Sequence, residues 1–341
     1  MDRYGKIKVL VVDDSLLFRE SIKKILSLDF QIEVVAVASN PFEARDRILE
    51  KKPDVLLCDV EMPGMNGIEF VRRLLPQYFV PVVMVSAVSD KVFEAMEAGA
   101  VDFVVKPDPQ KNGSVEAFGR DMIQKIKAAS NVKAACLKPE PSSGKISGSL
   151  AGNAGRIIAI GASTGGTEAI YNVLSALPPT IPGIVIVQHI PPVFSRMFAE
   201  RLDTQTVLHV KEASTGDLVE KGSVYVAPGD RQMRIKKAGT KYRIECFQGE
   251  KVNGHCPSVD VLFDSVAREA GKDAIGILLT GMGYDGAKGM LAMRRKGCRT
   301  IGQDEASSVV YGMPKVAYDI GGVEKQAPLG NIPQVLCGML N

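Results

Sequence analysis

Tryptophan is absent from this chain of 341 residues, and histidine occurs only three times. That scarcity narrows the search for a base working near neutral pH to His189, His209 and His255. A surplus of one charge is missing too. The 42 Lys and Arg against 39 Asp and Glu leave a formal +3, too little to imply a nucleic-acid surface. The one basic triplet, Arg294-Arg295-Lys296, stands near the end of a helical pattern, where it complements the helix dipole. No apolar run approaches the roughly 18 residues that span a bilayer, so membrane insertion is not expected. Asp13 and Asp14 interrupt the first apolar run, which argues against a signal peptide. The six cysteines, at 58, 136, 246, 256, 298 and 337, contain no C-x-x-C pair, which leaves no zinc or redox spacing and points to reduced thiols in the cytoplasm.

What is present is ordinary globular composition, 45% hydrophobic and 24% charged, over a length that suggests two domains. Residues 7–12, 32–38, 55–58, 82–86 and 103–105 read as strands, with helical patterns at 15–28, 41–51, 68–75, 91–98 and 114–129 between and after them. Such alternation predicts a parallel sheet covered on both faces. Composition then shifts to Pro, Gly, Ser and Ala, which marks a linker over 130–154 between domains at 1–129 and 155–341. Alternation resumes with strands at 157–160, 184–187, 275–279 and 300–302 and helices at 167–177, 259–270 and 286–295. Segments 224–226, 232–235 and 242–246 read as turn-linked, partly antiparallel strands. The second half is therefore expected to be a doubly wound α/β domain with a β-hairpin.

In the first domain Asp13 and Asp14 end the first strand, Asp59 the third, Ser86 the fourth and Lys106 the fifth. Ligands of open parallel sheets sit at the carboxyl ends of strands where strand order reverses. Asp13 and Asp14 alone would suggest a helix cap. With Asp59, Ser86 and Lys106 at separate strand ends, a carboxylate site for Mg²⁺ is the better reading, with Asp59 able to accept a phosphoryl group. The segments VLVVDDS, LLCDVEMPGMNG, VVMVSA and DFVVKP resemble the receiver domain of bacterial response regulators. The resemblance implies a flavodoxin-like sheet of order 2-1-3-4-5. It also implies phosphorylation of Asp59, Mg²⁺ held by Asp13, Asp14 and Asp59, phosphoryl contacts from Ser86 and Lys106, and Phe103 at the aromatic switch position. Gly64 and Asn66 depart from the Arg and Asp common in related methylesterases.

In the second domain GASTGG follows a strand and opens a helix, and satisfies the G-x-S-x-G pattern around Ser163. A hydroxyl needs a base. His209 lies in an alternating stretch and reads as a strand residue, and His255 precedes a helix, in a turn or ligand-side role. His189 ends the strand after that of Ser163 and is the best base. Asp285 follows a buried strand and is suited to orient an imidazole. The same region, Gly281-Met282-Gly283-Tyr284-Asp285-Gly286, also fits G-x-G-x-x-G, with Asp304 near the ribose position of a dinucleotide site. Against that alternative, the Asp285 carboxylate would repel a pyrophosphate.

The segments IIAIGASTGG, IVQHIPP, YVAPGDRQM, HCPSVDVLF, ILLTGMGYDGAKGM and QDEASSVVYGMPK resemble the catalytic domain of the protein-glutamate methylesterases of bacterial chemotaxis. The resemblance implies Ser163 as nucleophile, His189 as base and Asp285 as orienting acid. The substrates it implies are glutamyl methyl esters and certain glutamines on the cytoplasmic helices of chemoreceptors. A chemotaxis histidine kinase is the implied phosphodonor, and the unphosphorylated receiver is expected to inhibit. Turn geometry suggests Thr164 and Met282 as oxyanion donors, and the esterase step needs no cofactor. Cys256 stands where an arginine is usual, and Gly302 where alanine is commoner.

Overall fold

In this computed structural model the described residues are 5–87, 91–108, 110, 114–132 and 155–340. The chain divides into two units, Met1–Leu137 and Lys138–Asn341. Apart from residues 130–132, the expected linker lies outside the described residues, as does Cys136.

The first unit runs β1 (Ile7–Val12), α1 (Leu16–Leu26), β2 (Ile32–Ala38), α2 (Pro41–Lys51), β3 (Val55–Asp59), α3 (Gly67–Leu74), β4 (Val82–Ser86), α4 (Lys91–Glu97), β5 (Asp102–Val105) and α5 (Ser114–Ala129). Its strands pair in parallel in the order β2-β1-β3-β4-β5, as expected. Every residue of β3 and β4 is buried, because helices cover both faces of the central strands. Short polar side chains start the helices by accepting from otherwise unpaired N–H groups. Ser15 accepts from Phe18, Asn40 from Phe42 and Glu43, and Asn66 from Glu69. The departure at Asn66 thus keeps a helix-capping oxygen. Gly64 has φ +82°, a conformation that suits glycine better than arginine.

The second unit begins β6 (Ile157–Ala162), α6 (Gly166–Ser175), β7 (Gly183–Gln188), α7 (Phe194–Gln205), β8 (His209–Glu212) and β9 (Ser223–Val226). It continues β10 (Gln232–Ala238), β11 (Lys241–Phe247), α8 (Val259–Glu269), β12 (Ala274–Leu278), α9 (Ala287–Arg295), β13 (Arg299–Gln303), α10 (Met313–Asp319), β14 (Lys325–Ala327) and α11 (Ile332–Leu340). Seven strands form one parallel sheet, β14-β13-β12-β6-β7-β9-β8. The hairpin is β10–β11 alone. β9, grouped with it on sequence, instead joins the main sheet in parallel. Its Val224 and Val226 are fully buried, as a strand inside a covered sheet requires. The hairpin packs Met233, Ile235, Tyr242 and Ile244 into the same core as Leu262, Phe263 and Val266 of α8.

Strand order reverses between β6 and β12, so a crevice opens at their carboxyl ends. Among the described residues no helix is long and apolar enough to cross a membrane.

Candidate active site and phosphoacceptor site

In the first unit the parallel strands deliver their carboxyl ends to one place. Asp13 and Asp59 are buried, Asp14 is exposed, and one oxygen from each lies within 4.8 Å of the others. Lys106, just beyond β5, donates to Asp59 Oδ2 at 2.7 Å and to Asp13 Oδ2 at 3.2 Å. Burial and the nearby Asp13 charge push the Asp59 carboxyl up to about 6, against the pull of Lys106. Ser86 Oγ, at the end of β4, is buried and has no hydrogen-bond partner. A Cβ on Gly67 would lie 1.9 Å from the Asp59 carbonyl oxygen, so only glycine lets α3 start this close to the site. Of the five polar groups expected at this site, the three carboxylates and Lys106 come together, and Ser86 ends β4, the strand between β3 and β5.

In the second unit β6 and β7 pair with Ala162 opposite Gln188, and His189 N–H donates to Ala162 O at 3.1 Å. Ser163 and His189 therefore leave neighbouring strands side by side, at the ~4.8 Å spacing of a sheet. On the other flank Ser163 N–H donates to Thr280 O at 3.0 Å, which ties the serine to the loop after β12. Gln188 Nε2 donates to Ser163 O at 2.9 Å and fixes the turn from below. Gly165 carries φ +75° at the start of α6, and a Cβ on Gly281 would meet Ser163 Cβ at 2.7 Å. The glycines flanking Ser163 and Asp285 thus serve a sharp turn and a close approach of two loops.

Asp285 is buried and accepts from His189 Nε2 at 2.8 Å. Its oxygens also accept from Asn253 Nδ2, Ser258 Oγ and the Val259 N–H at 2.7–2.8 Å, and from the Asp260 N–H at 3.3 Å. Burial alone would raise its pKa, but the bonds to His189, Asn253 and Ser258 hold it well below the usual carboxylate range. The carboxylate also caps α8, whose first N–H groups it takes in place of the Ser258 side chain. With Nε2 engaged as donor, Nδ1 of His189 keeps the lone pair. Nδ1 is buried and without a hydrogen-bond partner, the Ser163 hydroxyl included. The N–H groups of Thr164 and Met282 likewise bond to no described residue.

The other two histidines separate. His209 is highly exposed on the edge strand β8, beside Asp203 at 3.6 Å. The His255 ring stacks on that of His189. The dinucleotide reading loses both its acidic residues. Asp285 is saturated with donors, and Asp304 accepts from Ser307 N–H and Oγ at 3.0 and 2.6 Å. Sequence reasoning missed Asn253, Ser258 and Gln188 as supports of the site. The Asn-Gly pair at 253–254, a strong turn signal, was the one pointer available.

Residues 158–336 match the family model described as CheB methylesterase, and residues 9–113 the response regulator receiver domain. The chain is 56% identical over 339 residues to protein-glutamate methylesterase/protein-glutamine glutaminase 2 of Syntrophomonas wolfei, covering 99% of both. It is 44% identical to the protein-glutamate methylesterase/protein-glutamine glutaminase of Salmonella typhimurium, over 99% of this chain and 98% of that one. Among solved structures, the catalytic domain of Thermotoga maritima CheB methylesterase aligns with 54% of this chain and 98% of its own, at 37% identity and a TM-score of 0.53.

Proposed function

This chain belongs to the CheB methylesterase family, and we propose that its Ser163, His189 and Asp285 form the triad that hydrolyses glutamyl methyl esters on chemoreceptors under control of the receiver. One observation carries this: His189 gives Nε2–H to a buried carboxylate and leaves Nδ1 unpartnered beside the strand end that bears Ser163. Ser163 Oγ turns to Nδ1, loses its proton to it and attacks the ester carbonyl carbon. The negative charge on the carbonyl oxygen is met by the N–H groups of Thr164 and Met282. Asp285 stabilises the imidazolium without taking its proton. Collapse of the adduct breaks the carbon–oxygen bond, and the imidazolium proton leaves with methanol. A water then gives a proton to Nδ1 and attacks the acyl carbon, the bond from that carbon to Oγ breaks, and the imidazolium returns its proton to Ser163 Oγ as the glutamyl carboxyl is released. With a glutamine the same steps release ammonia.

In the receiver the donor set fits a hard divalent cation: three carboxylates, close together, of which Asp14 is exposed. Asp13, Asp14 and Asp59 would hold Mg²⁺, which when bound offsets the negative charge of the carboxylates and of an incoming phosphoryl group. Asp59 is the nucleophile towards the phosphohistidine of a chemotaxis kinase. Lys106 neutralises a phosphoryl oxygen, and the unpaired Ser86 hydroxyl hydrogen-bonds another. This assignment places the protein's work in the cytoplasm, where kinase and receptor helices meet.

The test is methanol release from methylated receptors. Ser163→Ala and His189→Ala each abolish it, by about three orders of magnitude or more, while phosphorylation of Asp59 persists. Turnover retained by Ser163→Ala would falsify the triad.

A further inference from the structure

His255 has no role in the reaction above, yet its ring lies flat on that of His189, with centroids 3.7 Å apart and planes within 8°. The backbone beneath it is a tight turn. Asn253 and Gly254 have φ +54° and +87°, and Val252 and His255 exchange hydrogen bonds of 3.0 and 2.9 Å. Gln232, buried at the start of β10, fixes both ends of this loop. Its Nε2 donates to Glu250 O at 2.9 Å and His255 O at 3.4 Å, and its Oε1 accepts from Ser258 N–H at 2.9 Å. The turn reaches two members of the triad at once. Asn253 Nδ2 donates to Asp285 Oδ1 and Asp260 Oδ2, each at 2.8 Å, while the next side chain but one covers a face of His189.

Asp285 holds the His189 ring at one atom. A single hydrogen bond fixes a point and leaves the ring free to tilt about it, and Nδ1 has no bond that would stop the tilt. A flat group against one face supplies the missing constraint. We propose that His255 is a positioning residue for the hydrolysis, whose stacked imidazole fixes the plane of His189 and so keeps Nδ1 aimed at the Ser163 hydroxyl. The inference rests on the assignment of Ser163 and His189 as nucleophile and base. Charge favours the arrangement. The groups facing His255 are His189, Asp285 and Lys251, and burial pushes the His255 imidazole down to about 4, helped by His189 and Lys251 and opposed by Asp285. The ring is therefore uncharged at neutral pH. It does not repel the imidazolium that forms on His189, and it offers that cation a π face.

The test compares full-length variants in methanol release from methylated receptors, with a small-molecule phosphodonor and Mg²⁺. His255→Ala is expected to lower kcat about tenfold or more with KM changed less than about twofold, because a tilted base spoils the transition state and not receptor binding. His255→Phe restores a flat face with no titratable nitrogen and recovers kcat to within about threefold of the parent. Should His255→Ala fail to fold by circular dichroism, His255→Leu, apolar but not flat, takes its place against His255→Phe. Full kcat in the Ala or Leu variant, a loss confined to KM, or a Phe variant no better than either, each overturns the positioning role. His189→Ala runs beside them. Activity surviving in His189→Ala sinks the triad itself, whereas an inactive His189→Ala beside a fully active His255→Ala sinks the positioning role alone.

Discussion

At the scale of the residue, two neighbours in the active site titrate in ways that burial and partners dictate. Asp285 stays ionised because five other residues supply donors to its oxygens. His255 is the opposite case, a base that burial makes harder to charge, down to about 4 from an ordinary 6.5. Between those two pH values the unfolded chain binds more protons at this position than the folded one, so the folded state loses stability as pH falls from 6.5 towards 4. Above that window the contribution of His255 is flat. The slope is at most about 1.4 kcal/mol per pH unit. Urea unfolding of the second unit, followed in the whole chain, tests this. The parent should lose stability between pH 6.5 and 4.5 more steeply than His255→Phe, in which nothing titrates at the position. Equal slopes mean that the His255 ring is as easily protonated in the folded chain as in the unfolded one.

At the scale of the element, the proposed nucleophile Ser163 depends on how β6 turns into α6. Gly165 holds φ +75°, and a Cβ there would come within 2.7 Å of Val309 Cβ. Gly165→Ala therefore adds backbone strain and a clash together, about 1–3 kcal/mol. Since the turn also carries Ser163, kcat should fall about tenfold or more with it. A variant with parental melting temperature and kcat contradicts this account of the turn. Elements of this kind were legible in the sequence because glycine spacing and buried apolar runs are local signals. The five strands of the receiver and the strands leading to Ser163 and His189 followed from them, as did the meeting of Asp13, Asp59 and Lys106. α7, α10, β14 and α11 were not read. β14 has three residues and α10 seven, too few to show a period, and what fixes them is packing on the finished sheet. β9 was misgrouped because its pairing with β7 is made over some 40 residues of chain, and no local pattern encodes a partner. The cage around Asp285 was invisible for the same reason, since Asn253 and Ser258 reach it only once the hairpin β10–β11 and α8 are docked.

At the scale of the whole molecule, the phosphoryl transfer proposed for Asp59 and the ester hydrolysis proposed for Ser163 belong to separate units of one chain, so control on this reading is a coupling free energy between two sites. The reading that the unphosphorylated receiver restrains the hydrolase sets a ceiling on rate. If only a fraction of molecules is free to act, removing the receiver raises turnover by the inverse of that fraction and no further. Release by phosphorylation alone cannot exceed the same limit. Deleting residues 1–150 should therefore raise methanol release above that of the unphosphorylated whole chain and abolish any response to a phosphodonor. Asp59→Ala in the whole chain should leave basal turnover and lose stimulation. Chelation of Mg²⁺ should likewise remove stimulation of the parent and leave the truncated form untouched, since no residue of the triad calls for a metal. A truncated form no faster than the unphosphorylated whole chain rules out restraint as the means of control. A phosphorylated whole chain faster than the truncated one would mean that the receiver assists the hydrolase as well as releasing it, because lifting an inhibition cannot carry the rate above that of the uninhibited enzyme.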